Sequence, residues 1–98
     1  MTSDISESAK SIEREDISAC IFPENDVLLD EESIKKRARK IHRATSLGNL
    51  EQQKVSIFFQ DSEGLKCLHT TIWAQTGAKI ILKENVQLPV HRILEIKI

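Results

Sequence analysis

The sequence contains few of the residues that build nucleotide-binding or aromatic sites. Its 98 residues include three glycines, two prolines, three phenylalanines, one tryptophan and no tyrosine. Gly48, Gly64 and Gly77 are isolated from one another, so no glycine-rich loop is present to hold a nucleotide phosphate. With four aromatic side chains in all, we expect most of them to lie in the core, although Phe58 and Trp73 could stack on bases if exposed.

Cysteine and histidine are also scarce. The complete set of soft ligands and nucleophiles is Cys20, Cys67, His42, His69 and His91, with no C-x-x-C or H-E-x-x-H spacing. Cys67 and His69 share one face of a predicted strand and could supply two zinc ligands, or a thiolate with its base. A complete site would need two more partners to converge, so we expect no metal, no cofactor and no enzymatic activity.

The chain lacks long apolar runs and export signals. Runs such as residues 80–82 are far shorter than the roughly 20 apolar residues of a membrane span. The first residues are acidic and polar, Thr2 excludes N-myristoylation, and the last residues contain no prenylation cysteine. We therefore expect a cytoplasmic protein with two free thiols and no membrane partner. One small domain also offers little room for a deep site, so no small-molecule substrate is predicted.

Charge is distributed unevenly along the chain. Residues 1–32 hold ten acidic and two basic side chains, whereas residues 33–98 hold five acidic and twelve basic ones. Residues 1–16 are polar and aperiodic, which predicts a mobile acidic arm. Residues 17–98 are predicted to form a single folded domain, in which residues 17–29 have enough apolar surface to dock on the core.

A helix is predicted from residue 31. Asp30 is a suitable N-cap, acidic residues follow it in the first turn, and Leu29 and Ile34 occupy the positions of a hydrophobic staple. Gly48 is well placed to end the helix as its C′ residue. The apolar stripe predicted to lie on a sheet consists of Ile34, Ala38, Ile41 and Thr45.

After Gly48 the apolar pattern changes to alternation, which predicts strands. They cover residues 54–60, 65–74, 79–83, 86–90 and 94–98, with a turn at 61–64 and a bend in the long second strand. Pro89 favours an edge or a strand end. Such strands must close or be covered, so we predict an α+β fold in which the N-terminal helix packs on a small five-stranded antiparallel β-barrel.

The segment Lys35 to Arg43, KKRARKIHR, contains six positive charges and no acidic residue. Phosphate backbones attract such a surface. Three other interpretations stay open at this point: a solvated helix face, neutralisation by the acidic N-terminal part of the same chain, and a protein partner.

The C-terminal half, with its segment LPVHRILEI at 88–96, resembles SH3-like barrels and specifically the Sm-like family, which also has a helix before five strands. In that family a bacterial RNA chaperone carries a Lys-His pair that contacts RNA; His91 matches the histidine, while Val90 stands in place of the lysine and the family's second-strand glycine is absent. The same tail resembles the end of bacterial pleckstrin-homology-like domains. The TTIWA and LK segments with Pro89 are similar to a group of short bacterial proteins of unassigned function.

These observations predict a non-enzymatic binding module, with nucleic acid as the first candidate ligand. The alternative is a homo-oligomeric assembly or protein-interaction subunit that associates through strand edges. The candidate residues for binding nucleic acid or a partner are Lys35, Lys36, Arg39, Lys40, Arg43, His91 and Arg92.

Overall fold

A computed structural model describes residues 8–98 and confirms the α+β class. One long helix, α1 (Glu31–Glu51), is joined by three short 3-10 helices, Arg14–Ala19, Lys83–Asn85 and Val90–Arg92. None of the helices in residues 8–98 is both long and apolar enough to cross a bilayer. The strands are β1 (Lys10–Ser11), β2 (Val55–Asp61), β3 (Gly64–Thr70), β4 (Ile72–Thr76), β5 (Lys79–Leu82), β6 (Gln87–Pro89) and β7 (Ile93–Lys97).

The strands form two open sheets, which corrects the prediction of one antiparallel barrel. The first is mixed, with order β1-β3-β2-β7, because β1 pairs with β3 in parallel; the second is antiparallel, with order β4-β5-β6. No closed barrel is found in the described part of the chain. The predicted long second strand is interrupted at Thr71, where the chain passes from β3 in the first sheet to β4 in the second. The Thr71 carbonyl accepts a hydrogen bond from the Lys83 amide at 3.2 Å.

The β2–β3 hairpin matches its prediction. Asp61 accepts hydrogen bonds from the backbone amides of Glu63 and Gly64, at 2.9 and 3.1 Å. Gly64 has φ 135°, a conformation open to glycine and strained for other residues. Pro89 lies on β6, an edge strand of the second sheet, as predicted.

The start of α1 is confirmed, and its buried face is not the predicted one. Asp30 accepts a hydrogen bond from the Ser33 amide at 2.9 Å, as an N-cap should. Leu29 is 92% exposed and forms no staple with Ile34. Ala38, a member of the predicted stripe, is exposed. The buried face consists of Arg37, Ile41, Ala44 and Gly48.

Gly48 does not end the helix. It lies in the last turns of α1, which continues to Glu51 and is closed by Gln52 in the left-handed conformation at φ 53°. A Cβ atom on Gly48 would lie 2.2 Å from the Ile72 carbonyl oxygen. The glycine is therefore required because α1 contacts the backbone of β4 directly at this point.

The N-terminal segment wraps the sheets. Residues 10–16, which fall in the predicted arm, form β1 and begin the first 3-10 helix, while residues 1–7 of that arm lie outside the described residues. Ile17 is 5% exposed and joins the core formed by α1 and both sheets. Backbone hydrogen bonds connect the segment to later elements, from Ser62 to the Ile21 carbonyl at 2.8 Å and from Val27 to the His91 carbonyl at 3.0 Å.

Candidate functional site

A groove of about 720 Å³ runs between α1 and β7, which is an edge strand of the first sheet. The α1 side is formed by side chains that include four of the predicted binding residues, Lys36, Arg39, Lys40 and Arg43. Leu28, Leu94 and Ile96 give the groove an apolar floor. The structure therefore brings four separate positive charges to one concave surface.

Helix geometry explains why these four residues converge. At about 100° per residue, Lys36, Lys40 and Arg43 recur at i, i+4 and i+7 and share the flank of α1 that faces β7. Arg39 lies beside them, on the side of α1 that faces the solvent, and still lines the groove. Lys35 lies on the same solvent-facing side; it is exposed and does not line the groove.

Between residues 8 and 32, no acidic side chain forms an ion pair with these cations. Within residues 8–98, the α1 cation that forms an ion pair is Arg37, with Asp26. Lys35, Lys36, Arg39, Lys40 and Arg43 form none with any residue of that range. Residues 8–32 therefore form no direct ion pair with the basic face; the pKa of Asp30 is lowered mainly by hydrogen bonds from Ser33, with a smaller contribution from the charge of Lys36.

Arg37 has a different role from its neighbours. It is 7% exposed, and its guanidinium donates to both carboxylate oxygens of Asp26, at 2.7 and 2.8 Å, and to the Ile93 carbonyl at 3.1 Å. The hydrogen bonds from Arg37 lower the pKa of Asp26. Because these bonds join α1 to the start of β7, they hold the two walls of the groove together.

The remaining predicted residues, His91 and Arg92, lie outside this groove. The His91 Nε2 atom lies 2.9 Å from the Pro23 carbonyl oxygen. Arg92 is 5% exposed and donates to the carbonyls of Gln60 at 3.0 Å and Asn25 at 2.7 Å. Both side chains thus join the N-terminal segment to the sheets.

The aromatic side chains do not line the groove. Phe58 is 2% exposed, and Trp73 is 45% exposed on β4. The Asn49 side chain donates to the Trp73 carbonyl at 2.9 Å. Asn49 follows Lys40 by nine residues, or two and a half turns, so the two side chains lie on opposite sides of the helix axis. Trp73 therefore lies by the opposite flank of α1.

The two cysteines are free and poorly suited to nucleophilic chemistry. Burial raises the pKa of the Cys20 thiol to about 11, and it also raises the pKa of Cys67. The His69 ring lies 3.2 Å from the Ser56 hydroxyl. In the part of the chain that the structure describes, no group of three or more His, Cys, Asp or Glu side chains could hold a metal ion.

The sequence does not predict an ion cluster in the β2–β3 hairpin, in which Lys66 and Asp61 are buried and Glu63 is exposed. The Lys66 ammonium lies 2.5 Å from the Asp61 carboxylate and 2.8 Å from that of Glu63. Hydrogen bonds to Asp61 and then Glu63 raise the pKa of Lys66. Burial is the largest single effect on Asp61 and favours its protonated form, but the hydrogen bonds from Lys66, Cys20 and the Glu63 amide, with the charge of Lys66, together outweigh it and lower the pKa of Asp61. The sequence signal for this cluster is the acidic turn at 61–64, followed by Lys66 two residues after Gly64.

Comparison of the chain with protein-family models, with curated proteins and with solved structures finds no match. Its function must therefore be argued from its own residues, and the groove between α1 and β7 is the surface with the clearest chemistry.

Proposed function

We propose that the protein binds nucleic acid through the groove between α1 and β7. The observation that carries the proposal is the alignment of Lys36, Arg39, Lys40 and Arg43 along one groove, with no carboxylate of residues 8–98 paired to them. Each phosphate that these residues neutralise releases counterions, which favours binding. The proposal assumes the cytoplasmic location expected from the sequence.

The energetic cost of this arrangement supports a binding role. Lys36 and Lys40 are four residues apart, as are Arg39 and Arg43, and like charges at this spacing destabilise a helix by roughly 0.2–0.5 kcal/mol per pair. Within residues 8–98 no ion pair compensates them. Exposed charges that lower the stability of the fold are typical of surfaces that carry function.

The test is the salt dependence of binding to a fluorescein-labelled mixed-sequence oligonucleotide, followed by anisotropy between 25 and 300 mM salt. With four phosphate contacts, the slope of log K against log salt should be about −3 for a single strand. Replacing Lys36, Arg39, Lys40 and Arg43 by Gln should abolish binding and the slope. Lys35→Gln, on the same helix outside the groove, is the control and should change the affinity less than threefold. Absence of binding at 25 mM salt would refute the proposal.

The resemblance to the Sm-like family supports a nucleic-acid ligand less strongly than the groove does. The histidine that matches the RNA-contacting residue of that family is His91, and its ring lies against the Pro23 carbonyl. We therefore leave His91 and Arg92 out of the proposed binding surface. A barrel of the Sm-like kind likewise adds nothing to the proposal, which rests on the α1 and β7 side chains.

A homo-oligomer is the second candidate function. Leu29 and Leu50, just outside and near the end of α1, are 92% and 83% exposed, and β7 has an edge that no other strand of residues 8–98 covers. Exposed edges and apolar side chains favour association. Sedimentation velocity from 1 to 100 μM tests it: a monomer throughout excludes this candidate, and an oligomer that Leu50→Ser converts to monomer supports it.

A further inference from the structure

We propose that the protein binds a small carboxylate with an apolar body, such as a fatty acid, in a second cavity between the N-terminal segment and the sheet β4-β5-β6. This cavity shares no lining residue with the groove between α1 and β7, so the inference does not rest on nucleic-acid binding. The sequence alone predicts no small-molecule ligand, because the cavity forms only when distant parts of the chain pack together.

The cavity lies where the first 3-10 helix, Arg14–Ala19, meets β5 and β6, and its volume is about 630 Å³. Its apolar lining consists of Ile17, Phe22, Val86 and Pro89. Ile17 is buried, and Phe22 and Val86 pack against the core, so the fold holds these side chains in place. Small-molecule sites are concave and mostly apolar, with a few polar groups that orient the ligand. The apolar body of a ligand therefore finds hydrophobic contacts here.

Arg14 also lines this cavity, and the fold satisfies its guanidinium only in part. One terminal nitrogen lies 3.2 Å from the Glu84 carboxylate, and the other lies 3.5 Å from the Thr70 hydroxyl, which is a long hydrogen bond. The Nε atom is buried and has no hydrogen-bond partner within residues 8–98. Because a guanidinium has five N–H groups and buried polar groups are normally paired, Arg14 can still bind a further acceptor.

A carboxylate is the acceptor that matches this guanidinium best. Its two oxygens can accept two parallel hydrogen bonds from one arginine side chain. Glu84 contacts a single guanidinium nitrogen, and its side chain is 69% exposed, so water competes with this pair. The carboxylate of a ligand whose body lies on the apolar lining would meet less competition from water.

The other titratable groups of the lining are Lys79, Glu15 and His91. Lys79 is exposed and forms no ion pair with any residue from 8 to 98, so it adds a second positive charge. His91 donates from Nε2 to the Pro23 carbonyl, since a carbonyl oxygen only accepts. Glu15 is exposed, so solvent screens its repulsion of an anion. The two cations therefore favour an anionic ligand.

The experiment measures the binding of decanoate to the full chain by isothermal titration calorimetry, with acetate and decanol as reference ligands. Acetate has the carboxylate without the apolar body, and decanol has the body without the charge. We expect decanoate to bind about tenfold tighter than either, because both parts of the site contribute. Gln87→Trp, which adds a large side chain at an exposed position of the lining, should weaken decanoate binding about tenfold.

Charge variants test the role of Arg14. Arg14→Gln should weaken decanoate binding about tenfold and Lys79→Gln about threefold. Glu84→Gln should instead strengthen it about threefold, because this change frees the Arg14 guanidinium from a competing carboxylate. Lys83→Gln is the matched control and should change the affinity less than about twofold, since Lys83 is exposed, lies outside the cavity lining and forms no ion pair with residues 8–98.

Three contrary results would overturn this inference. The first is an absence of decanoate binding at millimolar concentration, and the second is equal affinity for decanoate and decanol, which would mean that the cations contribute nothing. The third is weaker binding in Glu84→Gln, because the Arg14–Glu84 pair would then only support the fold around the cavity. Circular dichroism shows whether Arg14→Gln is folded; if it is not, Lys79→Gln and Glu84→Gln decide the test. Oligonucleotide binding is measured separately, so the two proposals fail independently.

Discussion

Individual buried charges determine much of this protein's stability. Replacing Arg37 by Ala leaves the Asp26 carboxylate without its bidentate partner and removes the donor to the Ile93 carbonyl. Because Arg37 is buried and the Asp26 carboxylate is partly exposed, we expect a cost of about 2 kcal/mol, the scale of a hydrogen bond to a charged group, out of a total of about 5–15 kcal/mol for 98 residues. Urea denaturation should show this loss, whereas Arg39→Ala, at an exposed position, should stay within about 0.5 kcal/mol of wild type. Equal effects would mean that the Arg37 pair contributes little.

The ion cluster of the β2–β3 hairpin predicts the pH dependence of stability. Because the pKa of Asp61 is lowered in the fold, its contribution is present above the unfolded value near pH 4 and is lost as the pH falls. The raised pKa of Lys66 acts in the opposite direction, so its contribution is lost as the pH rises above about 10.

Asp61→Asn tests this dependence. Its amide oxygen can still accept from the Glu63 and Gly64 amides, but it no longer neutralises Lys66. The variant should lose about 2 kcal/mol at pH 7, and its stability should fall less steeply than that of the wild type between pH 5 and 3. Denaturation midpoints measured across this range check the prediction; unchanged steepness would contradict it.

Arg37 shows where reasoning from single residues falls short. Within KKRARKIHR its side chain is of the same kind as its neighbours, so the sequence pattern only counts it among the six positive charges of the segment. Its burial depends on Asp26, which is eleven positions away and reaches it only through the fold. Periodicity identified Ile41 correctly and placed the rest of the buried face about one quarter of a turn away.

The helix as an element contacts its neighbours closely at Gly48. Alanine is a better helix former than glycine by about 1 kcal/mol, so an exposed Gly48→Ala would stabilise α1. Here the added methyl would lie 2.2 Å from the Ile72 carbonyl oxygen, a backbone atom, and α1 or β4 must shift. We expect a net loss of about 2 kcal/mol or more in the free energy of unfolding.

Gly77→Ala is the matched control. Nothing lies within 4 Å of a Cβ atom at Gly77, and its φ is not positive. This variant should be neutral or more stable by up to about 1 kcal/mol. Thermal unfolding of both variants side by side is the measurement, and a stabilised Gly48→Ala would show that α1 does not pack on β4 as described.

The positive charge of α1 should oppose its stability. Replacing Lys36 and Lys40 by Gln removes like-charge repulsion, so we expect no loss of stability and a gain of about 0.5 kcal/mol at low salt. The gain should vanish at 0.5 M salt, where the repulsion is screened. Urea midpoints at the two salt concentrations measure this, and a destabilised variant would mean that these lysines contribute to the fold.

Signals close together in sequence made the elements predictable. The N-cap at Asp30 and the Asp-x-x-Gly turn at 61–64 each lie within four residues, and both are confirmed. The end of α1 and the division into two sheets depend on contacts across the fold, between Gly48 and Ile72 and at Thr71. The parallel pairing of β1, a two-residue strand in a polar segment, has no signal of its own.

At the level of the complete chain, the N-terminal segment and the sheets depend on each other. Residues 23–26 supply the acceptors for two buried arginines, with Asn25 bonded to Arg92 and Asp26 to Arg37. Without this segment both guanidinium groups would lose buried partners, and Ile17 would leave the core. If the N-terminal segment were an addition to a domain that folds without it, its removal would leave the buried arginines with their partners and the core intact.

Deletion of residues 1–29 should therefore abolish cooperative folding. The loss combines the acceptors that two buried guanidinium groups find in this segment with part of the core, and exceeds the stability available to a domain of this size. A chain lacking only residues 1–7 keeps every contact described above and serves as the reference. Near-ultraviolet circular dichroism and urea denaturation should show a sigmoidal transition for the reference and none for the longer deletion. A cooperative transition in the longer deletion would mean that α1 and the two sheets fold without the segment, and that Arg37 and Arg92 find other partners.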